Sequence, residues 1–166
     1  MADIGEERTN LTNVAGQQTS VGVLVTGQFP SATSNGGRGG TFPTNVIRSC
    51  WQWGAEASTD KPALRLTGLQ PNTLYTIKCL FSNLATADYR FVGFDSQGRG
   101  KAISANHPVN GSNDAVTADL IGLTSSPTGE IDLRFRALPT AGIGYLNAMI
   151  VERLETVSQR AILNLT

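Results

Sequence analysis

The sequence predicts an all-β protein: an antiparallel jelly-roll β-sandwich of about eight or nine strands, with extended N- and C-terminal arms. Three observations predict it. Short runs of alternating apolar and polar residues recur, with Gly, Pro and Asn turns between them. The composition favours strands and turns: 18 of the 166 residues are Gly, only 16% are charged, and Thr, Ser and Asn are abundant. No stretch inside the domain carries the apolar period of a helix of normal length. A chain of 166 residues, 40% of them hydrophobic, suits one domain with one core.

Residues 1–18, MADIGEERTNLTNVAGQQ, have scattered apolar side chains and no period, and read as an N-terminal arm. Thr19–Thr26 is rich in Val and reads as a strand. Ser31–Gly40, SATSNGGRGG, reads as a flexible loop; its glycines lack the spacing of a phosphate loop and no Lys-Ser/Thr pair follows them. Asn45–Trp53 reads as a mixed strand and Ala63–Thr67 as an alternating one. Gly68–Asn72 is a turn, with Pro71 fixing φ and Asn72 tolerating the left-handed region.

Leu74–Ser82 follows as a strand whose Tyr75, Ile77, Cys79 and Phe81 share one face. Tyr89–Asp95 alternates again, Ser96–Gly100 turns, and Lys101–Ser104 is a short strand. After a polar loop, Asn106–Asn113, come strands at Ala115–Leu123 and Glu130–Ala137, separated by the turn Ser125–Gly129. In the second of these Ile131, Leu133 and Phe135 face one way, while Asp132, Arg134 and Arg136 face water. Ile143–Glu152 is almost wholly apolar and reads as one central strand. The sandwich therefore spans residues 19–153, and residues 154–166 form a C-terminal tail, apolar at Ala161–Leu165.

Several functions are excluded on this reading. A formal net charge of zero lacks the basic footprint of a nucleic-acid binder. No apolar run approaches the ~18 residues of a membrane-spanning helix. Met1–Gly16 has no apolar h-region, so no secretory leader is expected. No cofactor is expected. Two Cys and one His fall short of a zinc site without carboxylates, and the loop acids lack calcium-ligand spacing. Cys50 and Cys79 could pair or stay as buried thiols.

Four segments, in this order, resemble a known family: Phe42–Trp51, Leu66–Thr76, Thr128–Leu133 and Gly144–Glu152. The second holds a Gly-Leu-x-Pro turn leading into a strand through Tyr75, and the last is GYLNAMIVE. Together they resemble galactose-binding-like β-sandwich modules of bacterial carbohydrate-active and surface proteins. The free-standing form also resembles accessory domains of tailed-phage virions. This resemblance implies a virion part (head decoration, fibre or tail accessory) that docks on other virion proteins through its arms. Surface glycans are the second partner class it implies, and a homo-oligomer is compatible with it. The alternative it implies is a carbohydrate-binding module that is free-standing, extracellular or on the bacterial cell surface.

The residues point away from catalysis. The single histidine, His107, precedes Pro108 in a polar loop, with no nucleophile pattern around it. Glu56, Asp60, Asp88, Asp95 and Asp119 show no spacing that pairs two of them across a cleft. Sugar binding needs a ring to stack on and polar side chains for hydroxyls. The candidates are Trp53, Tyr89, Arg90 and Arg99, placed at a strand end, a loop exit and a glycine turn. Trp51 and Trp53, two apart, share a strand face that is either core or platform. Asn147, in an apolar strand, reads as structural, tying down a neighbouring loop, and Tyr75 as a core residue with a bonded hydroxyl.

Overall fold

The computed structural model describes residues 2–13, 15–37, 42–54, 61–84, 91–104, 113–137 and 143–155, with the backbone alone for Phe91 and Ser104. The described chain is antiparallel β-structure with one short helix. Its strands are β1 (Glu7–Arg8), β2 (Gly22–Gly27), β3 (Ser31–Thr33), β4 (Cys50–Gly54), β5 (Ala63–Thr67), β6 (Leu74–Leu80), β7 (Phe91–Ser96), β8 (Arg99–Ser104), β9 (Ala118–Thr124), β10 (Ile131–Ala137), β11 (Ile143–Leu146) and β12 (Ala148–Arg153). Helix α1 spans Thr44–Ile47.

The wiring is a jelly roll. One layer runs β1-β2-β5-β10-β7-β8. The other is two three-stranded sheets, β11-β4-β3 and β12-β6-β9, joined because β11 and β12 are separated by Asn147 alone. From β4 onward the chain alternates between layers, with the β7–β8 hairpin staying in the first. β10 inserts between β5 and β7, and β11–β12 insert between β4 and β6. These insertions pair β10 with β5, and β12 with β6, across long stretches of sequence.

Alternation decides what faces inward. In β10, Ile131, Leu133 and Phe135 are buried while Asp132, Arg134 and Arg136 face solvent, as the pattern predicts. On the wet face Arg65 donates to both oxygens of Asp132, 2.7 and 3.1 Å away, across the β5–β10 register. From the other layer Tyr75, Ile77, Cys79 and Phe81 all enter the core. The rings of Phe81, Phe94, Phe135, Phe29 and Trp53 form a continuous chain, with centroids 5.7–6.3 Å apart. Cys50 and Cys79 are both buried free thiols. Burial pushes the Cys50 thiol up to about 12 and holds that of Cys79 well above its ordinary value.

Four expectations about elements need correction. The N-terminal residues are laid onto the large sheet: β1 pairs with β2, Ala2 bridges to Phe29, and Ala2 is only 1% exposed. Unpatterned sequence gave no sign of this because the strand is two residues long. Ser31–Thr33, placed in a loop, forms an edge strand on β4. The strand expected over Asn45–Trp53 begins as a helix: Pro43, at φ −58°, opens a turn whose amides at Val46 and Ile47 point back to its carbonyl. Burying Ile47 completely outweighs the β-preference of Val46 and Ile47. The strand expected over Ile143–Glu152 is two strands, each in its own sheet.

Candidate binding site at the loop end

The two ends of the sandwich are built differently. At one end the turns are short and tied together. Gly68 takes φ +66° and Asn72 φ +52°, as the Pro-Asn turn requires. The Gln70 amide donates to the Tyr75 hydroxyl at 2.9 Å, which is the partner expected of that buried phenol. The Thr73 amide donates to Ser125 Oγ at 3.0 Å, and the Leu69 amide to the Gly129 carbonyl at 3.0 Å. Gln97, in the β7–β8 turn, accepts from the Thr124 amide and donates to the Thr124 carbonyl.

At the opposite end lie the strand termini Phe91 with Ser104, Val92 with Ala137, Cys79 with Ala118, and Leu80 with Ala148. Residues 85–90, 105–112 and 138–142 connect strands from this end. It is the loop end.

The described part of the loop end is organised by Asn147. Its Oδ1 accepts from the Ser82 amide at 2.7 Å, its Nδ2 donates to the Ile47 carbonyl at 2.8 Å, and its amide donates to the Leu80 carbonyl at 3.0 Å. One side chain thus fixes the end of α1 and the chain leaving β6, while the backbone passes from one sheet to the other. The loop at Gly36 slots in beside it. The Gly36 amide donates to the Arg48 carbonyl at 2.8 Å, and the Leu84 amide to the Asn35 carbonyl at 2.7 Å. A Cβ on Gly36 would collide with the Ile47 carbonyl and with Asn147 Nδ2, so only glycine lets the loop approach so closely.

Between these segments is a cleft of about 520 Å³, lined by Ser34, Asn35, Gly36, Gly37, Thr44, Arg48 and Leu84. Beneath Gly37 the buried Ser82 hydroxyl has no hydrogen-bond partner among the described residues. The lining supplies amide, hydroxyl and guanidinium groups: several donors, several acceptors and one cation. Arg48 makes no ion pair among the described residues. Such a set has the donors, acceptors and charge to hydrogen-bond a polyhydroxylated or anionic ligand. Among the described residues no group of three His, Cys, Asp or Glu is placed to hold a metal ion.

Of the four candidates from the sequence, the two that lie among the described residues, Trp53 and Arg99, do not line this cleft. Trp53 is 3% exposed, edge-on to Phe29 at 5.7 Å and packed over Gly144, so it offers no ring face to a ligand. Trp51 shares its face and packs on Phe29 at 4.8 Å. Arg99 is at the turn end, donating to the carbonyls of Ile121 and Gly122 at 2.8 and 2.7 Å. It is a clip between the edge strands β8 and β9. Tyr89 and Arg90, like His107, lie outside the described residues. They follow Leu84, which lines the cleft, by five and six positions. Asn35, Thr44 and Arg48 went unrecognised in the sequence. Their signal was the polar residues flanking the glycine cluster, which reads as a loop whether or not it lines a cleft.

No family model matches the sequence, and no curated protein matches it. Among solved structures the chain is similar to the Penaeus vannamei nodavirus P-domain, with a TM-score of 0.37 and 19% identity. That match covers 61% of this chain and 94% of the P-domain chain.

Proposed function

We propose that this chain is a non-enzymatic binding module of a bacteriophage virion (head decoration, fibre or tail accessory) that presents its loop end outward to surface glycans. One observation carries the reading: a tightly bonded turn end opposite a loop end with a polar cleft at Asn35, Thr44 and Arg48. A rigid scaffold with its variable segments gathered at one end is the common arrangement of recognition domains. Jelly rolls serve in viral capsid and lectin domains, which supports the setting by analogy of fold. The galactose-binding-like resemblance of the four sequence segments supports the ligand class.

A glycan array probed with multivalently displayed, full-length protein tests the ligand, because avidity brings millimolar binding into view. Binding to a defined glycan class is expected, weakened at least tenfold by Arg48→Ala with the urea midpoint unchanged. A blank array with folded protein overturns the glycan reading. Antiserum against the chain is expected to label purified phage particles. Labelling confined to bacterial envelopes would instead favour a cell-surface carbohydrate-binding module.

A further inference from the structure

We infer that the cleft at the loop end selects acidic glycans, with Arg48 receiving a carboxylate or phosphate group of the sugar. The inference rests on the glycan reading of this cleft and adds the sign of the ligand's charge. Among the described residues that line the cleft, Arg48 alone is ionisable. The other described arginines have a partner or face a carboxylate. Arg8, Arg65 and Arg153 form ion pairs with Glu6, Asp132 and Glu155. Arg99 donates to two carbonyls of β9. Arg134 lies opposite Asp95 in the β10–β7 register, and the guanidinium of Arg136 reaches over Gly100 beside the same aspartate. Arg48 differs from all of these: no acidic residue lines the cleft beside it among the described residues.

The cation stands on a fixed base. The Arg48 amide donates to the Thr44 carbonyl at 2.9 Å, and the Arg48 carbonyl accepts from the Gly36 amide at 2.8 Å. Arg48 keeps helical backbone angles at the end of α1, φ −65° and ψ −39°. Thr44 and Arg48, four positions apart, therefore share one side of that turn, hydroxyl beside guanidinium. Asn35 is held through its own carbonyl, which accepts from the Leu84 amide at 2.7 Å, and its side chain adds a donor and an acceptor. The hydroxyls of a neutral and an acidic sugar bond equally well to Ser34, Asn35 and Thr44, so these residues do not discriminate. The guanidinium does. Hydrogen bonds between ions are roughly twice as strong as neutral ones, and the planar fork meets two oxygens of a carboxylate or phosphate at once. Arg48 is exposed, so salt weakens this attraction.

The test presents the full-length chain, displayed multivalently, to matched pairs of immobilised oligosaccharides. One pair is a uronate oligosaccharide and its carboxyl-reduced twin; the other is a phosphorylated oligosaccharide and its dephosphorylated twin. At low salt at least one acidic member is expected to bind about tenfold more tightly than its twin, and the pair that responds identifies the anion. The preference is expected to shrink several-fold at about 1 M salt, where screening acts within ~3 Å. Arg48→Gln should abolish the preference and leave binding of the neutral twin unchanged. Arg134→Gln, which removes a cation from the outer face of the large sheet, should leave the preference intact. Equal binding of acidic and neutral twins overturns the inference while the glycan reading stands. A preference that survives Arg48→Gln, or that Arg134→Gln lowers as much, also overturns it, because the charge is then sensed outside the cleft. Binding to no member of either pair, with the array otherwise blank and the protein folded, overturns the glycan reading and this inference with it.

Discussion

Asn147 ties together three segments that are distant in the sequence. Its side chain satisfies two backbone groups from segments 65 and 100 positions away. Asn147→Ala orphans both, and each half-buried orphan costs about 1–3 kcal/mol. A loss of about 2–4 kcal/mol in urea unfolding is expected, together with weakened glycan binding, because the cleft rests on the same knot. Cys50 gives a pH signature. Its thiol is raised from an ordinary 9.0 to about 12 in the folded state, so the folded chain keeps a proton that the unfolded chain loses. The stabilisation is complete below pH 9 and is lost as pH rises toward 12, by up to about 1.4 kcal/mol per unit. The urea midpoint should fall over pH 9–11, and less steeply in Cys50→Ala.

Residues of this kind were partly legible in the sequence. An Asn inside an apolar strand must find partners, and so must a Tyr in a buried stripe; both did. Trp53 shows where the reading stops. Period two places Trp51 and Trp53 on one face but does not say which face is the core. Only the ring contacts with Phe29 and Phe135 decide it.

At the scale of elements, the sandwich closes its β8–β9 side with side chains instead of strand pairing. Arg99 and Gln97 bond the backbone of β9 around Gly122, the extra residue of a bulge that faces the Tyr75/Thr76 step of β6. Gly122 takes φ +72° there. Clipping two edges together removes them as templates for unwanted pairing. Arg99→Ala is therefore expected to speed amide exchange across Ile121–Thr124 and to raise aggregation on mild heating. Glycan binding at the other end of the sandwich should be unaffected. Strands with two-faced patterns, such as Leu74–Leu80 and Ile131–Ala137, were legible because alternation alone specifies them. The break at Asn147 and the helix at Thr44–Ile47 were not, since both depend on long-range partners: Ser82 and Ile47 for the one, and the buried seat of Ile47 for the other.

For the whole molecule, the two layers share a single core of aromatic and aliphatic side chains, and the proposed binding role falls at one pole. The turn pole is dense in short hydrogen bonds and glycine or asparagine turns. The loop pole carries the cleft and the long connections. The all-β class follows from composition and turn spacing. The position of the cleft does not, because it is assembled from Asn35, Thr44, Arg48 and Leu84, which meet only when Gly36 slides between two loops.

The insertion of β10 between β5 and β7 also governs when the protein can fold. Leu66 waits for Ile131, and Phe94 for Phe135. A ribosome delivers residues in order, so the inner edges of β5 and β7 stay unpaired until residue 137 has emerged. A nascent chain shorter than that holds two open strand edges with their apolar faces uncovered. Such pairings carry a high loop-closure cost and form slowly. The interval just before β10 arrives is when the nascent chain is most vulnerable to association with its neighbours on the same message.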